Sequence, residues 1–175
     1  MINRVTTIYP ITNSLTNLIR LEKSLILLKH KGKYILEVKK HILPSNYSQL
    51  IGGNVNNGFT PLETSYELVN SYIGYRPESI EFISTIKNIL TTSNGETKIT
   101  THIFFLLIPD SQEIKISSEL KLYDDLEFQK LIFSMSQLQN NISCEANLFK
   151  FNWKEYAQMY EPIHQIAYNY ARNKL

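Results

Sequence analysis

The 175-residue sequence predicts an α+β fold, a mixed β-sheet packed between helices, and three observations carry that reading. Residues 24–39, SLILLKHKGKYILEVK, pass from an apolar run through a Lys31-Gly32 turn into alternation. Tyr34, Leu36 and Val38 fall on one face and Glu37 and Lys39 on the other, the pattern of a β-hairpin. A glycine-rich segment then leads into a capped helix, and two long strand-like segments follow it. Strands on either side of a helix, with more helical sequence after them, call for a sheet that helices cover.

Each element has a local reason. A short strand is expected over residues 49–51, stopped by Gly52-Gly53 and followed by a loop rich in Gly and Asn. Thr60 reads as the N-cap of a helix that starts at Pro61, Glu63 completes a capping box three residues on, and Gly74 supplies the stop. Leu62, Tyr66, Val69 and Ile73 recur at helical spacing and predict its buried stripe. Residues 79–90 and 96–108 read as paired strands, with Asn94-Gly95 marking their turn. The stretch 101–108 is apolar on both faces, as a central strand is. Pro109-Asp110 ends it, and a weaker strand is expected near residues 113–116. Asp124 or Asp125 then caps a helix with Leu131, Ile132, Met135 and Leu138 inward. A last helix opens with Asn152 and Glu155, is kinked or split at Pro162, and buries Tyr156, Met159, Ile163, Ile166 and Tyr170.

Composition narrows the function classes. The chain reads as one domain, with an N-terminal extension over 1–23, a core over 24–138 and a helical segment over 139–175; at this length folding buries roughly 70% of the unfolded surface. A hydrophobic fraction of 43% and a charged fraction of 19% exclude a disordered chain. Eighteen basic against sixteen acidic side chains leave a net charge of +2, so charge gives no reason to expect nucleic acid as a partner. Cys144 is the single cysteine, which rules out an intramolecular disulfide and a cysteine zinc cluster. The longest strongly apolar stretch, residues 103–108, is far short of the roughly twenty that a membrane helix needs. The first twenty residues have no continuous apolar run of the signal-peptide type, and the expectation is a soluble, cytoplasmic protein.

Residues 53–75, GNVNNGFTPLETSYELVNSYIGY, resemble a Nudix box, whose pattern is G, five residues, E, seven residues, then R-E-U-x-E-E-x-G-U with U aliphatic. Laid on without a gap, the framework glycines fall on Gly53 and Gly74 and the aliphatic position on Val69. The lead-in hairpin and the strands that follow fit the same family, so the resemblance spans residues 24–138. It implies a Nudix-like fold. The charged positions of the box depart from the pattern: its first Glu is Phe59, its Arg is Glu67, the next Glu is Leu68, and the paired Glu residues are Ser71 and Tyr72. Family members cleave a diphosphate linked to another moiety with Mg²⁺ or Mn²⁺, and such hard cations need several carboxylate oxygens. Leu, Ser and Tyr do not supply them.

The remaining candidates are weighed in the same way. Glu63 and Glu67 are one helical turn apart and are the fallback ligands for a displaced metal, although capping already accounts for Glu63. Glu113, Glu119, Asp124, Asp125 and Glu127 form an acidic stretch where some Nudix members place a late catalytic acid; a solvated loop and a helix cap explain it as well. No two of His30, His41, His102 and His164 have the spacing of a helical metal pair, and His102 alternates with Phe104 and Leu106 along a strand where it could line a cleft. Cys144 has no histidine nearby in sequence. Tyr47, Phe59 and Tyr75 are expected to flank a cleft beside Gly53 and to stack a flat ring. Tyr156, Tyr160, Tyr168 and Tyr170 suit intramolecular packing first and a partner surface second.

The sequence therefore points to a catalytically deficient Nudix-like domain that binds a nucleotide-like ligand or a protein partner, with Tyr47, Gly53, Phe59, Tyr75 and His102 as binding residues and no catalytic residue, metal or cofactor. The alternatives are an active hydrolase of nucleoside-diphosphate derivatives that holds Mg²⁺ or Mn²⁺ on ligands relocated to Glu63, Glu67 and the acidic stretch after Glu113, and a structural subunit or homodimer.

Overall fold

A computed structural model describes residues 2–5, 19–38, 48–92, 95–138 and 153–174. Among the described residues, eight strands and three helices follow one another as β1 (Ile2–Val5), β2 (Ile19–His30), β3 (Lys33–Val38), β4 (Ser48–Gln49), β5 (Ile51–Asn54), α1 (Pro61–Ile73), β6 (Glu81–Thr92), β7 (Gly95–Ile108), β8 (Leu120–Tyr123), α2 (Asp125–Leu138) and α3 (Trp153–Ala171). The strands make one mixed sheet in the order β1-β6-β7-β2-β3-β4, with β5 on β2 and β8 on β3. β7 is central, as its two apolar faces require: it pairs antiparallel with β6 and parallel with β2. One face, with Leu25, Leu27, Ile103 and Phe105, is covered by α2 and α3. The other, with Ile26, Leu28, Phe104 and Leu106, is covered by Val69 and Ile73 of α1.

The sheet forks beside β2. β3 stays paired with β2 for only three residues, from Leu28↔Ile35 to His30↔Lys33. Beyond that point β4 continues along β3 and β5 crosses to β2. Leu50 stands at the crossing, and its backbone N–H donates to Nε2 of His164 on α3 at 3.0 Å. The same ring donates from Nδ1 to the Tyr160 carbonyl at 2.8 Å, so it is held neutral. Full burial pushes its pKa down to about 4.

Several local expectations change. Gly52 and Gly53 lie inside β5 and do not stop a strand: a Cβ at 52 would run into Leu25, and one at 53 would sit 3.2 Å from the Leu68 side chain. No strand forms at residues 113–116. The strand after β7 is β8, which has β3 as its antiparallel partner. Sheet residues also occur within the expected N-terminal extension, since β1 pairs with β6 and β2 begins at Ile19. Gly95 opens β7 and pairs with Thr92, while Asn94 lies outside the described residues. The α1 cap is as expected: Thr60 Oγ1 accepts from the Glu63 N–H and the Glu63 carboxylate accepts from the Thr60 N–H, with Gly74 at φ 67°. Its buried stripe is rotated, however. Leu62 is 42% exposed, and Ser65 takes the inward position. The reason is that Ser24 Oγ donates to the Pro61 carbonyl and fixes how the first turn lies on β2.

The C-terminal helices differ in detail as well. Asp124 is the cap of α2, in a second reciprocal pair with Glu127 at 2.7 and 3.1 Å. Leu131, Ile132 and Met135 are buried, and so is Phe128. The side chain of Leu138 and the cap at Asn152 lie outside the described residues, as does the side chain of Tyr156. α3 runs unsplit through Pro162 and buries Met159, Tyr160, Ile163, His164, Ala167 and Tyr168. Buried Lys29 closes its C-terminus, donating to the carbonyls of Ala171 at 3.2 Å and Lys174 at 2.8 Å.

The His164 geometry fixes a pH dependence. Its folded pKa lies below the ordinary 6.5, so the unfolded chain binds the extra proton first. This group's stability contribution is complete above pH 6.5 and declines as pH falls toward about 4, by up to ~1.4 kcal/mol per pH unit. Denaturant midpoints measured from pH 8 to 4 are expected to show that decline, and His164→Gln is expected to flatten it.

Candidate functional site

The box helix decides what this domain can hold. On α1, Leu68 packs over the bare backbone of Gly53, and Leu68 and Tyr72 both rest against the apolar cluster of that sheet face. The Tyr72 hydroxyl donates to Glu37 Oε1 on β3 at 2.6 Å. Burial, and after it the Glu37 carboxylate, push the Tyr72 hydroxyl above the ordinary tyrosine range, so it stays a neutral donor. Ser71 is exposed and donates to the Leu68 carbonyl at 3.2 Å. At the positions where the resemblance puts metal-binding carboxylates, the helix therefore offers a packed Leu, a Tyr already bonded to an acid, and a hydroxyl turned to its own backbone. These groups do not fit a cluster of Mg²⁺ or Mn²⁺. Among the described residues, no three His, Cys, Asp or Glu side chains are grouped to hold a metal ion.

A cleft of about 470 Å³ opens at the N-terminal end of α1, between the glycine loop and the sheet. The loop is tightened by Gly58 at φ 89° and by the Phe59 N–H donating to the Asn56 carbonyl. Phe59, 52% exposed, turns its ring outward there. Arg20 and Glu22 of β2 and Lys98 and Thr100 of β7 form the opposite wall. Next to it His102 bridges two strands: Nδ1 lies 3.0 Å from Thr85 Oγ1 and Nε2 3.2 Å from Glu22 Oε2.

The expected site residues do not all meet. Phe59 and Tyr75 lie at opposite ends of a 13-residue helix, about 20 Å apart along its axis, so they cannot enclose one ring. Tyr75 packs against the apolar cluster. Gly53 pairs with Ser24 under Leu68 and serves helix packing. Glu63 is held in the capping box and Glu67 is exposed on α1. Tyr47 and Cys144 lie outside the described residues. In the acidic stretch Glu113 and Glu119 are exposed, Asp124 and Glu127 form a cap pair, and Asp125 is a tie that accepts from Tyr34 at 3.3 Å, Tyr168 at 3.0 Å and Gln129 at 2.7 Å. Arg20, Glu22, Lys98 and Glu37 were not legible as site residues, because the first three come together only through the β2–β7 register and alternation marks Glu37 as solvent-facing.

No protein-family model matches the chain, and no curated protein does. Solved structures are similar to it in fold. The E. coli dihydroneopterin triphosphate pyrophosphohydrolase superposes with a TM-score of 0.51 at 14% identity, over 64% of this chain and 84% of its own. The MutT protein from Bacillus halodurans gives 0.52 at 14% identity, over 63% and 72%. A chain in the complex between the C-terminal domain of mouse MUTYH and human PCNA gives 0.50 at 8% identity, over 74% and 97%. The fold is thus the Nudix fold, a mixed sheet between helices of the kind MutT-type hydrolases share.

Removing the phenol tests the packed box helix. Tyr72→Phe leaves Glu37 without this donor at a buried position and is expected to cost about 1–3 kcal/mol in denaturant unfolding. Ser71→Ala, on the exposed side, is expected to stay within about 0.5 kcal/mol.

Proposed function

We propose that this chain is a Nudix-fold domain that binds a phosphorylated, nucleotide-like molecule without hydrolysing it. The observation that carries the reading is the Leu68–Gly53 packing and the Tyr72–Glu37 hydrogen bond, which fill the place of a catalytic metal cluster. The cleft beside Phe59 supplies what recognition without a metal needs. The exposed ring offers a stacking face for a base, and Arg20 and Lys98 offer positive charge to phosphate oxygens. The likeness to an enzyme named for a phosphorylated heterocycle, dihydroneopterin triphosphate, supports that ligand class.

A protein partner is the second reading. It is favoured by the likeness to a chain in the MUTYH–PCNA complex and by Leu126, which stands 58% exposed on α2.

Thermal shift across nucleoside mono-, di- and triphosphates and dinucleotides checks the first reading. At a concentration of 100 Kd a ligand stabilises by about 2.7 kcal/mol, which moves Tm by several degrees. At least one is expected to do so equally well in EDTA and in Mg²⁺, with no phosphate released, and Arg20→Ala and Phe59→Ala are expected to abolish the shift. A flat panel overturns nucleotide binding. Divalent-dependent phosphate release that Glu67→Gln removes overturns the non-hydrolytic part.

A further inference from the structure

On the sheet face opposite α1, a groove of about 960 Å³ runs between α2 and α3 and ends at the Gly32 turn. We propose that this groove is a second binding site and that it takes an uncharged, polyhydroxylated ligand of the oligosaccharide class. Its walls are rich in side-chain amides, Gln129 from α2 and Gln165 and Asn169 from α3, with Arg172 at one end. Gln165 and Asn169 each offer a donor and an acceptor from one group, as each sugar hydroxyl does, and Gln129, whose amide hydrogens go to Asp125 and the Tyr168 hydroxyl, adds an acceptor, so the match needs no net charge.

The charges of the groove balance. Asp125 and Glu161 are matched in number by Lys29 and Arg172. Lys29 is committed to the α3 carbonyls, and Asp125 is ringed by donors from Tyr34, Tyr168 and Gln129. A phosphorylated ligand finds no surplus of positive charge here, in contrast to the cleft beside Phe59. The polar floor is also fixed in advance. Burial and the Asp125 carboxylate raise the Tyr34 and Tyr168 hydroxyls, which stay neutral and donate to Asp125, and Gln165 Nε2 donates to Asn169 Oδ1 at 3.1 Å. A preset array of this kind spares a ligand the entropy of ordering it. An extended peptide is a poorer match, because Ile132 and Phe133 are the apolar lining residues of the groove, both on α2, and a bound strand needs a series of apolar pockets along its length.

The test applies the full chain to an array of neutral and charged glycans and to an immobilised peptide library. Cellotriose, maltotriose and tri-N-acetylchitotriose are then titrated calorimetrically. Neutral glycans are expected to be retained, and one of the three trisaccharides to bind. Asn169→Ala and Arg172→Ala, both surface changes checked by an unaltered Tm, are each expected to weaken that binding at least tenfold, and Arg20→Ala to leave it unchanged. If either variant lowers Tm, Gln165→Ala replaces it. Retention of charged glycans or peptides alone overturns the proposal, and so does absence of neutral glycan binding or binding unaffected by the groove substitutions. Loss of nucleotide binding in the Phe59 cleft leaves these outcomes unaffected.

Discussion

The parallel pairing of β2 with β7, unbroken from Ile19↔Thr97 to His30↔Ile108, is the constraint on which the other elements depend. Parallel neighbours in a sheet need both faces covered, and here both strands carry apolar side chains on both faces. α1 therefore has to lie on one side and α2 with α3 on the other. The same register brings Arg20 and Glu22 level with Lys98 and Thr100, which builds the cleft wall, and it sets Ser24 where it can hold the first turn of α1.

The box helix keeps the frame that the resemblance implies and carries other side chains at the charged positions of the pattern. The structural positions retain their reasons: Thr60 and Glu63 cap, Gly74 closes in a left-handed conformation, and Gly53 admits the helix against β5. Of the positions that the resemblance assigns to metal ligands, Leu68 and Tyr72 are packed inward and Ser71 is exposed. Leu68 buries surface where a carboxylate would need water or a cation, and Tyr72 donates to Glu37 Oε1 across the gap between α1 and β3. Both side chains close the α1–sheet interface, and the Tyr72 hydroxyl supports that packing by its bond to Glu37.

The two sides of the sheet also differ in how their polar groups are used. On the α2–α3 side, Lys29, His164 and the Asp125 network tie the C-terminal helix to β2, to the fork at Leu50 and to β3. Each is a polar group that a sequence reader would send to solvent or to a site, and each instead satisfies backbone or side-chain partners across long chain separations.

Local signals determined the elements whose causes are local. The hairpin at Lys31-Gly32, the α1 cap and stop, the two long strands and the central position of residues 101–108 follow from turn chemistry, capping and apolar patterning over a few residues. The glycine spacing carried the Nudix resemblance, since backbone approach and helix termination have fixed sequence costs. What only the tertiary structure decided is which side chains meet. It set the rotation of α1 that exposes Leu62, the separation of Phe59 from Tyr75, the pairing of Tyr72 with Glu37, and the placing of Gly52 and Gly53 within β5. Those outcomes depend on strand register and on how the helices dock, and contacts between residues 35 or more positions apart leave no period in the sequence to read.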